Sequence, residues 1–139
     1  KEGTEALREE LTRFVELMTN NGKTVYILQQ IPETNERHAI RVYMNAMRYP
    51  DLYDYPQLTI HRSEYLERQK NPLAIFEDLK PLGVKIIDAS DNFFNEDDRL
   101  VVYDQQNSYY RDDDHVTNYG AEKLIRPVLE PFFLAIKKE

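Results

Sequence analysis

Two short apolar, β-branched runs, Thr24–Leu28 and Val84–Ile87, constrain the fold of this chain more than any other feature. Both have strand length and polar or turn-forming flanks. Neither alternates as a strand with one wet face does, so each is expected to be covered on both faces, as parallel strands are. Ahead of the first run, Leu7, Leu11, Phe14, Val15 and Met18 recur as one face of an amphipathic helix that should stop near Asn20-Asn21-Gly22 and cover the sheet. Gln29-Gln30-Ile31-Pro32-Glu33 forms the exit of the first strand. In open α/β sheets the carboxyl ends of strands face the ligand crevice, so Gln29, Gln30 and Glu33 either line it or simply end the strand.

Helical spacing returns at Ala39, Val42, Tyr43, Ala46 and Met47, and a tyrosine- and proline-rich stretch, Tyr49–Pro56, follows. Its aromatics could stack on a sugar ring, although sealing a helix-packing seam is the preferred reading. Ser63 is expected to cap a helix carrying Tyr65 and Leu66, and Asn71-Pro72 to open the next one. His61, just before that cap, reads as structural. Lys80-Pro81-Leu82-Gly83 stops the helix, the second strand ends at Asp88, and Phe93-Phe94 should pack inward. Leu100–Tyr103 and Ser108–Tyr110 could pair as a hairpin across Asp104–Asn107. The final apolar stripe, from Ala121 to Ile136, contains Pro127 and Pro131, which should kink or divide its helix.

Composition narrows the function. With 139 residues and 41% hydrophobic content, the chain suffices for one core and is too short for two. A formal charge of −7 with no basic cluster speaks against nucleic acid and anionic membrane surfaces as partners. No run reaches the roughly 18 apolar residues of a membrane span. Zero cysteines exclude disulfides and thiolate metal sites without fixing a compartment.

One stretch carries candidate chemistry. In Tyr109-Tyr110-Arg111-Asp112-Asp113-Asp114-His115-Val116-Thr117-Asn118-Tyr119-Gly120-Ala121, carboxylates crowd around a histidine. An aspartate three residues before a histidine, on a turn feeding a helix, can accept the imidazole N–H, fix its tautomer and leave the other nitrogen as a base. Asp112 and His115 have that spacing. Thr117 or Asn118 is a plausible N-cap for the following helix, whose positive end should oppose protonation of His115 and keep it neutral near pH 7.

This block, Tyr-Tyr-x-Asp-Asp-Asp-His-Val-Thr-x-x-Gly-Ala, resembles the last conserved block of SGNH hydrolases, in the form fused to the C-terminus of acyltransferase-3 membrane proteins. Val25–Glu33, with its Pro-Glu exit, and Val84–Asp91, ending in Asp-x-x-Asp, fit the same family in order and spacing. The resemblance implies an α/β, three-layer αβα SGNH or flavodoxin-like fold with a mostly parallel sheet. It also implies acyl-ester transfer or hydrolysis by a Ser-His-Asp triad, with His115 as base and Asp112 as its orienter. The family's Gly-Asp-Ser block and oxyanion-hole blocks find no match, since Ser63, Ser90 and Ser108 never follow a Gly-Asp pair. Residues 1–139 are therefore expected to be the C-terminal portion of a single domain whose N-terminal portion is missing, inactive alone and open to self-association as a homo-oligomer. The parent is expected to be a membrane-embedded O-acyltransferase moving acetyl groups onto cell-envelope polysaccharide, with this domain outside the cytoplasmic membrane. Its partners would be an acyl donor, a glycan acceptor and the parent's membrane domain, with no cofactor and no metal.

Three rival readings stand beside it. A complete SGNH esterase would hydrolyse the ester, and a non-catalytic module would bind glycans through its tyrosines. The third takes Asp91, Asp112, Asp113 and Asp114 as oxygen ligands for Ca²⁺ or Mg²⁺, although their spacing lacks the alternate ligands and central glycine of an EF-hand loop.

Overall fold

The computed structural model describes residues 2–35, 38–50 and 59–136. They group into two compact units: one comprises residues 1–29 and 66–87, the other residues 30–65 and 88–139.

The first unit is a helix-on-sheet layer. Helix α1, Glu2–Asn20, precedes strand β1, Tyr26–Leu28, and β1 pairs in parallel with β2, Lys85–Ile87. The register is Tyr26 to Lys85, Ile27 to Ile86 and Leu28 to Ile87. Val15, Ile75, Leu79 and Val84 form a buried core, with Leu11, Val25, Ile27, Leu82 and Ile86 packed on it. The end of α1 falls where the sequence suggested, for a defined reason. Gly22 takes a left-handed φ of 70°, its N–H donates to the Thr19 carbonyl at 2.9 Å, and the Lys23 N–H donates to Met18 at 3.0 Å. This is a Schellman stop, which only glycine enters without strain. Gly83, also left-handed at φ 88°, ends the 3₁₀ turn Lys80–Leu82, its N–H donating to the Lys80 carbonyl at 3.0 Å.

Both strands form, yet burial on both faces does not hold for β1, where Tyr26 and Leu28 remain 40% and 45% exposed. Its only partner among the described residues is β2, so much of its surface has nothing to pack against. The apolar face of α1 is likewise only half used. Val15 is fully buried, while Leu7 and Phe14 are each 48% exposed. A 19-residue helix spans about 28 Å and a three-residue strand about 10 Å, so this sheet cannot cover it.

Between the strands lie α2, Ala39–Arg48, and α3, Arg62–Leu79. The expected break at Asn71-Pro72 is absent, because α3 runs unbroken through Pro72. Proline removes one helical donor and crowds the preceding turn. Burial of Ile75 and Leu79, each 1% exposed, holds the helix on the far side. Ser63 is not the cap either. The helix begins one residue earlier, the His61 N–H donates to Glu64 Oε1 at 3.0 Å, and Ser63 Oγ pairs with His61 Nδ1 at 2.9 Å. His61 also bridges to Arg99.

The second unit has little regular secondary structure and a large aromatic core. Ile60, Tyr65, Phe93, Leu100 and Tyr110 are at most 1% exposed, packed with Ala39, Phe94, Val102, Tyr109 and Leu124. Isolated antiparallel bridges, His61 to Arg99, Phe94 to Leu100, Tyr103 to Ser108 and Tyr110 to Val116, stand in for sheet. Arg62 fastens one of these turns: its Nε donates to Asp98 at 2.7 Å, it pairs with Asp91, and its guanidinium lies 4.5 Å from the Phe94 ring centre.

Of the two prolines in the final segment only Pro127 stands at a change of helix type, and the helix Arg126–Ile136 runs unbroken through Pro131. A helical turn, α4, Asn118–Gly120, passes into π-helix over Ala121–Ile125 and then into α5, Arg126–Ile136. Pro127 has no N–H to give to the Lys123 carbonyl, and the wider i→i+5 turn just before it, with the Arg126 N–H on Ala121, absorbs that loss. No described helix is long and apolar enough to cross a membrane.

Candidate active site

The candidate block is built on a hairpin in the second unit. The Asp104 N–H donates to the Asn107 carbonyl at 3.1 Å, and the Tyr109 N–H donates to Val102 at 2.8 Å. Asp104 fixes the turn by accepting backbone N–H groups of Gln106 at 2.7 Å and Asn107 at 3.0 Å on Oδ1. Its Oδ2 accepts the hydroxyls of Tyr109 at 2.9 Å and Tyr119 at 2.6 Å, whose rings stack 5.7 Å apart. Although partial desolvation pushes the other way, these bonds, led by that of Tyr119, hold the Asp104 carboxyl down to about 2. Tyr119, facing this carboxylate, is pushed up to about 12.

After the hairpin the chain doubles back. Ser108 Oγ donates to the Tyr110 carbonyl at 2.6 Å, and the buried Tyr110 hydroxyl donates to the Pro32 carbonyl at 2.6 Å. The Arg111 N–H donates to the His115 carbonyl at 2.8 Å, closing Asp112-Asp113-Asp114 into a tight turn. The Thr34 N–H donates to the Asp113 carbonyl at 2.8 Å, so the residues after β1 brace this turn from outside. Thr117 ends it as the N-cap of α4, its Oγ1 accepting the Gly120 N–H at 3.0 Å and donating to the Ser108 carbonyl at 2.7 Å. Asn118 is instead the first helical residue. Gly120 is required here, because a Cβ would lie 2.2 Å from the Tyr109 carbonyl oxygen.

Within that frame Asp112 and His115 meet. Asp112 Oδ1 accepts the His115 backbone N–H at 2.8 Å and faces His115 Nδ1 at 2.9 Å. The carboxylate is thus oriented by the backbone of the residue whose ring it engages, and Nδ1–H is the tautomer that leaves Nε2 as the basic nitrogen. A contact that the spacing did not suggest joins them: Asp114 Oδ1 lies 2.7 Å from the same Nδ1. Nothing local distinguishes Asp114 from Asp113 in the sequence. The difference comes from the turn, which commits the Asp113 carbonyl to Thr34 while the Asp114 side chain folds back on the ring.

The expected protonation balance is corrected by this geometry. The hydrogen bond to Asp112, then the charges of Asp112 and Asp114, raise His115 above its usual value. Two full charges at hydrogen-bond distance outweigh the half-charge of a short helical end. Against the upward push of desolvation, the His115 backbone N–H and ring hold the Asp112 carboxyl down to about 2. The His115 side chain is 70% exposed, so its free edge meets solvent.

Other candidate residues fall elsewhere. Gln30 Nε2 pairs with Glu33 Oε1 beside the braced segment, whereas Gln29 is 5% exposed at the end of the β ladder. Asp88 Oδ1 accepts the Ser90 N–H at 2.8 Å, an end-of-strand role. Asp91 belongs to Arg62, which removes it from the set of oxygen ligands considered with Asp112–Asp114. Among the described residues, the groups with ligand atoms gathered within 4.8 Å are Asp112, Asp114 and His115, and separations of 2.7 and 2.9 Å are those of an imidazole hydrogen-bonded to carboxylates. Ser63 faces His61, Ser90 and Ser108 are 6% and 1% exposed, and the side-chain partners of His115 are Asp112 and Asp114, so no described serine hydroxyl is paired with His115. Tyr49 is exposed beside Arg48, while Tyr53 and Tyr55 lie outside the described residues.

An aspartate-oriented histidine on a braced turn of an α/β chain is the arrangement that hydrolase- and acyltransferase-like domains use. The family described as "SGNH domain (fused to AT3 domains)" matches residues 1–131. The chain is a member of this family of acyltransferase-3-associated SGNH domains. Neither the comparison with curated proteins nor that with solved structures finds a match.

Proposed function

We propose that this chain supplies the base, His115, and its orienting carboxylate, Asp112, to an SGNH-type O-acyltransferase that moves acetyl groups onto cell-envelope polysaccharide. The observation that carries this reading is the Nδ1 contact to Asp112 at 2.9 Å in a chain of this family. The nucleophilic serine comes from a segment other than the one described, within a three-layer α/β domain of which these residues form a part.

In this mechanism Nε2 of His115 removes the serine hydroxyl proton as Oγ attacks the acyl carbonyl, and the imidazolium then returns that proton to the departing group. The acyl-enzyme is relieved in the reverse order. Nε2 deprotonates a sugar hydroxyl, that oxygen attacks the ester, and the proton passes back to serine Oγ. Asp112 holds the ring and stabilises its charged form throughout. The acyl donor and the membrane-embedded part of the parent lie upstream of this step, and the domain works outside the cytoplasmic membrane on a glycan acceptor. A net charge of −7 supports the exclusion of nucleic acid.

Hydrolysis is the second reading, favoured by the 70% exposure of the His115 side chain, which lets water compete with the sugar for the acyl-enzyme. Both readings are tested by following acyl groups in the intact parent protein with and without acceptor glycan. Transfer predominates under the first reading and free acid under the second. His115→Ala should lower either by at least about 10²-fold while the fold persists. Undiminished turnover by that variant would remove the base from His115.

A further inference from the structure

Resting on the assignment of His115 as the base, we propose that Asp114 is a second positioning carboxylate for its imidazole, sharing the Nδ1–H with Asp112. The geometry distinguishes the three neighbouring aspartates. Asp112 Oδ1 and Asp114 Oδ1 lie 2.9 and 2.7 Å from Nδ1, both within ordinary hydrogen-bond distance. Asp113 contributes its backbone carbonyl, which accepts the Thr34 N–H at 2.8 Å.

The two carboxylates are held differently. Asp112 is preset by the backbone, accepting the N–H of His115 at 2.8 Å and of Asp114 at 3.3 Å on the oxygen that faces the ring. Asp114 is 55% exposed in its side chain, and its Oδ1 lies 2.7 Å from Nδ1. Asp112 therefore sets the ring's direction, and Asp114 adds a second negative charge that counts most once the ring is an imidazolium. A single carboxylate already keeps Nδ1 as the protonated nitrogen. Two protect the tautomer, though not the ring's direction: when one is neutralised, the other still accepts the same N–H, but only Asp112 is preset by the backbone.

Asp112 and Asp114 are the charged groups that bear on the ring among the described residues, and both favour its protonated form. The cost is a base that is protonated over a wider pH range, and the gain is an imidazolium better stabilised while the tetrahedral intermediate exists.

The test combines a structural readout with kinetics. Histidine ¹⁵N shifts of His115, followed against pH in the full chain, report tautomer and midpoint for wild type, Asp112→Asn, Asp113→Asn, Asp114→Asn and the 112/114 double variant. Acyl transfer is measured for the same set in the intact parent. Asp114→Asn should lower the midpoint and cut transfer about 3- to 10-fold, Asp114→Glu should restore much of both, and Asp113→Asn should change neither. The double variant should lose at least about 10-fold beyond Asp112→Asn alone and lose the preference for Nδ1–H. An unshifted midpoint in Asp114→Asn, or a double variant no worse than Asp112→Asn, overturns the proposal. If His115→Ala keeps full activity while Asp114→Asn still moves the midpoint, the assignment of the base fails and the shared hydrogen bond stands.

Discussion

The two units of this chain reach order by different means. In the first, a parallel strand pair and two helices bury Val15, Ile75, Leu79 and Val84, and ion pairs such as that of Lys80 with Glu77 are exposed. In the second, isolated bridges replace strands, and hydroxyls bond to backbone groups far away in sequence, as Tyr110 does to Pro32 across 78 residues. A unit held by area is tolerant of where each polar group lies. A unit held by directed bonds fixes atoms to fractions of an ångström, and the Asp112–His115 turn sits in the second kind.

The contrast can be broken most forcefully by volume changes. Ile75→Ala should cost about 2–5 kcal/mol in denaturant unfolding, the price of an emptied core site in the first unit. Gly120→Ala removes nothing, yet should cost about 3 kcal/mol, because its Cβ would meet the Tyr109 backbone at 2.2 Å, where no flexible side chain can yield. A cost under about 1 kcal/mol at Gly120 would show that the doubled-back chain is looser than the contact implies.

Smaller changes sharpen it. Tyr110→Phe keeps the buried ring but strands the Pro32 carbonyl, for an expected loss of about 2 kcal/mol. Two threonines make a matched pair. Thr117→Val should lose about 1 kcal/mol with the α4 cap, whereas Thr19→Val should lose less than about 0.5 kcal/mol. Thr19 Oγ1 only adds a bond to the Val15 carbonyl within its own helix. Equal losses would erase the distinction between the units.

A pH experiment addresses the clamp beneath the turn. The Asp104 carboxyl is lowered to about 2 in the folded chain, so its contribution to stability is fully present above about pH 4 and is lost as pH falls through about 2. Unfolding curves for wild type and Asp104→Asn should therefore converge over that acid window. His115 has the opposite sign: its raised value contributes stability below about pH 6.5 that fades as pH rises through the folded midpoint.

The sequence made the local parts of this architecture legible. The short β-branched runs, the Gly22 stop, the α2 periodicity, the turn at Asp104–Asn107, the Thr117 cap and the spacing of Asp112 and His115 all depend on neighbours within a few residues. What escaped depends on distant ones. Pro72 inside α3 is tolerated because of packing at Ile75 and Leu79. Arg62 meets Asp98 across 36 residues, and Tyr119 meets Asp104 across 15, with no periodicity to announce either. The sign of the His115 shift was missed because the dipole of the next helix is visible in sequence, while the fold of Asp114 back onto the ring is not.

The central claim is that Asp112, among three adjacent aspartates, orients His115 as a base. Its most direct test is kcat/KM for acyl transfer by the intact parent carrying Asp112→Asn, measured beside Asp113→Asn. The asparagine at 112 keeps the shape of the turn but removes the backbone-preset carboxylate that directs the ring and stabilises its charged form, so a loss of about 10²-fold or more is expected there, with Asp113→Asn close to wild type. The reverse ranking would contradict the register on which the site rests.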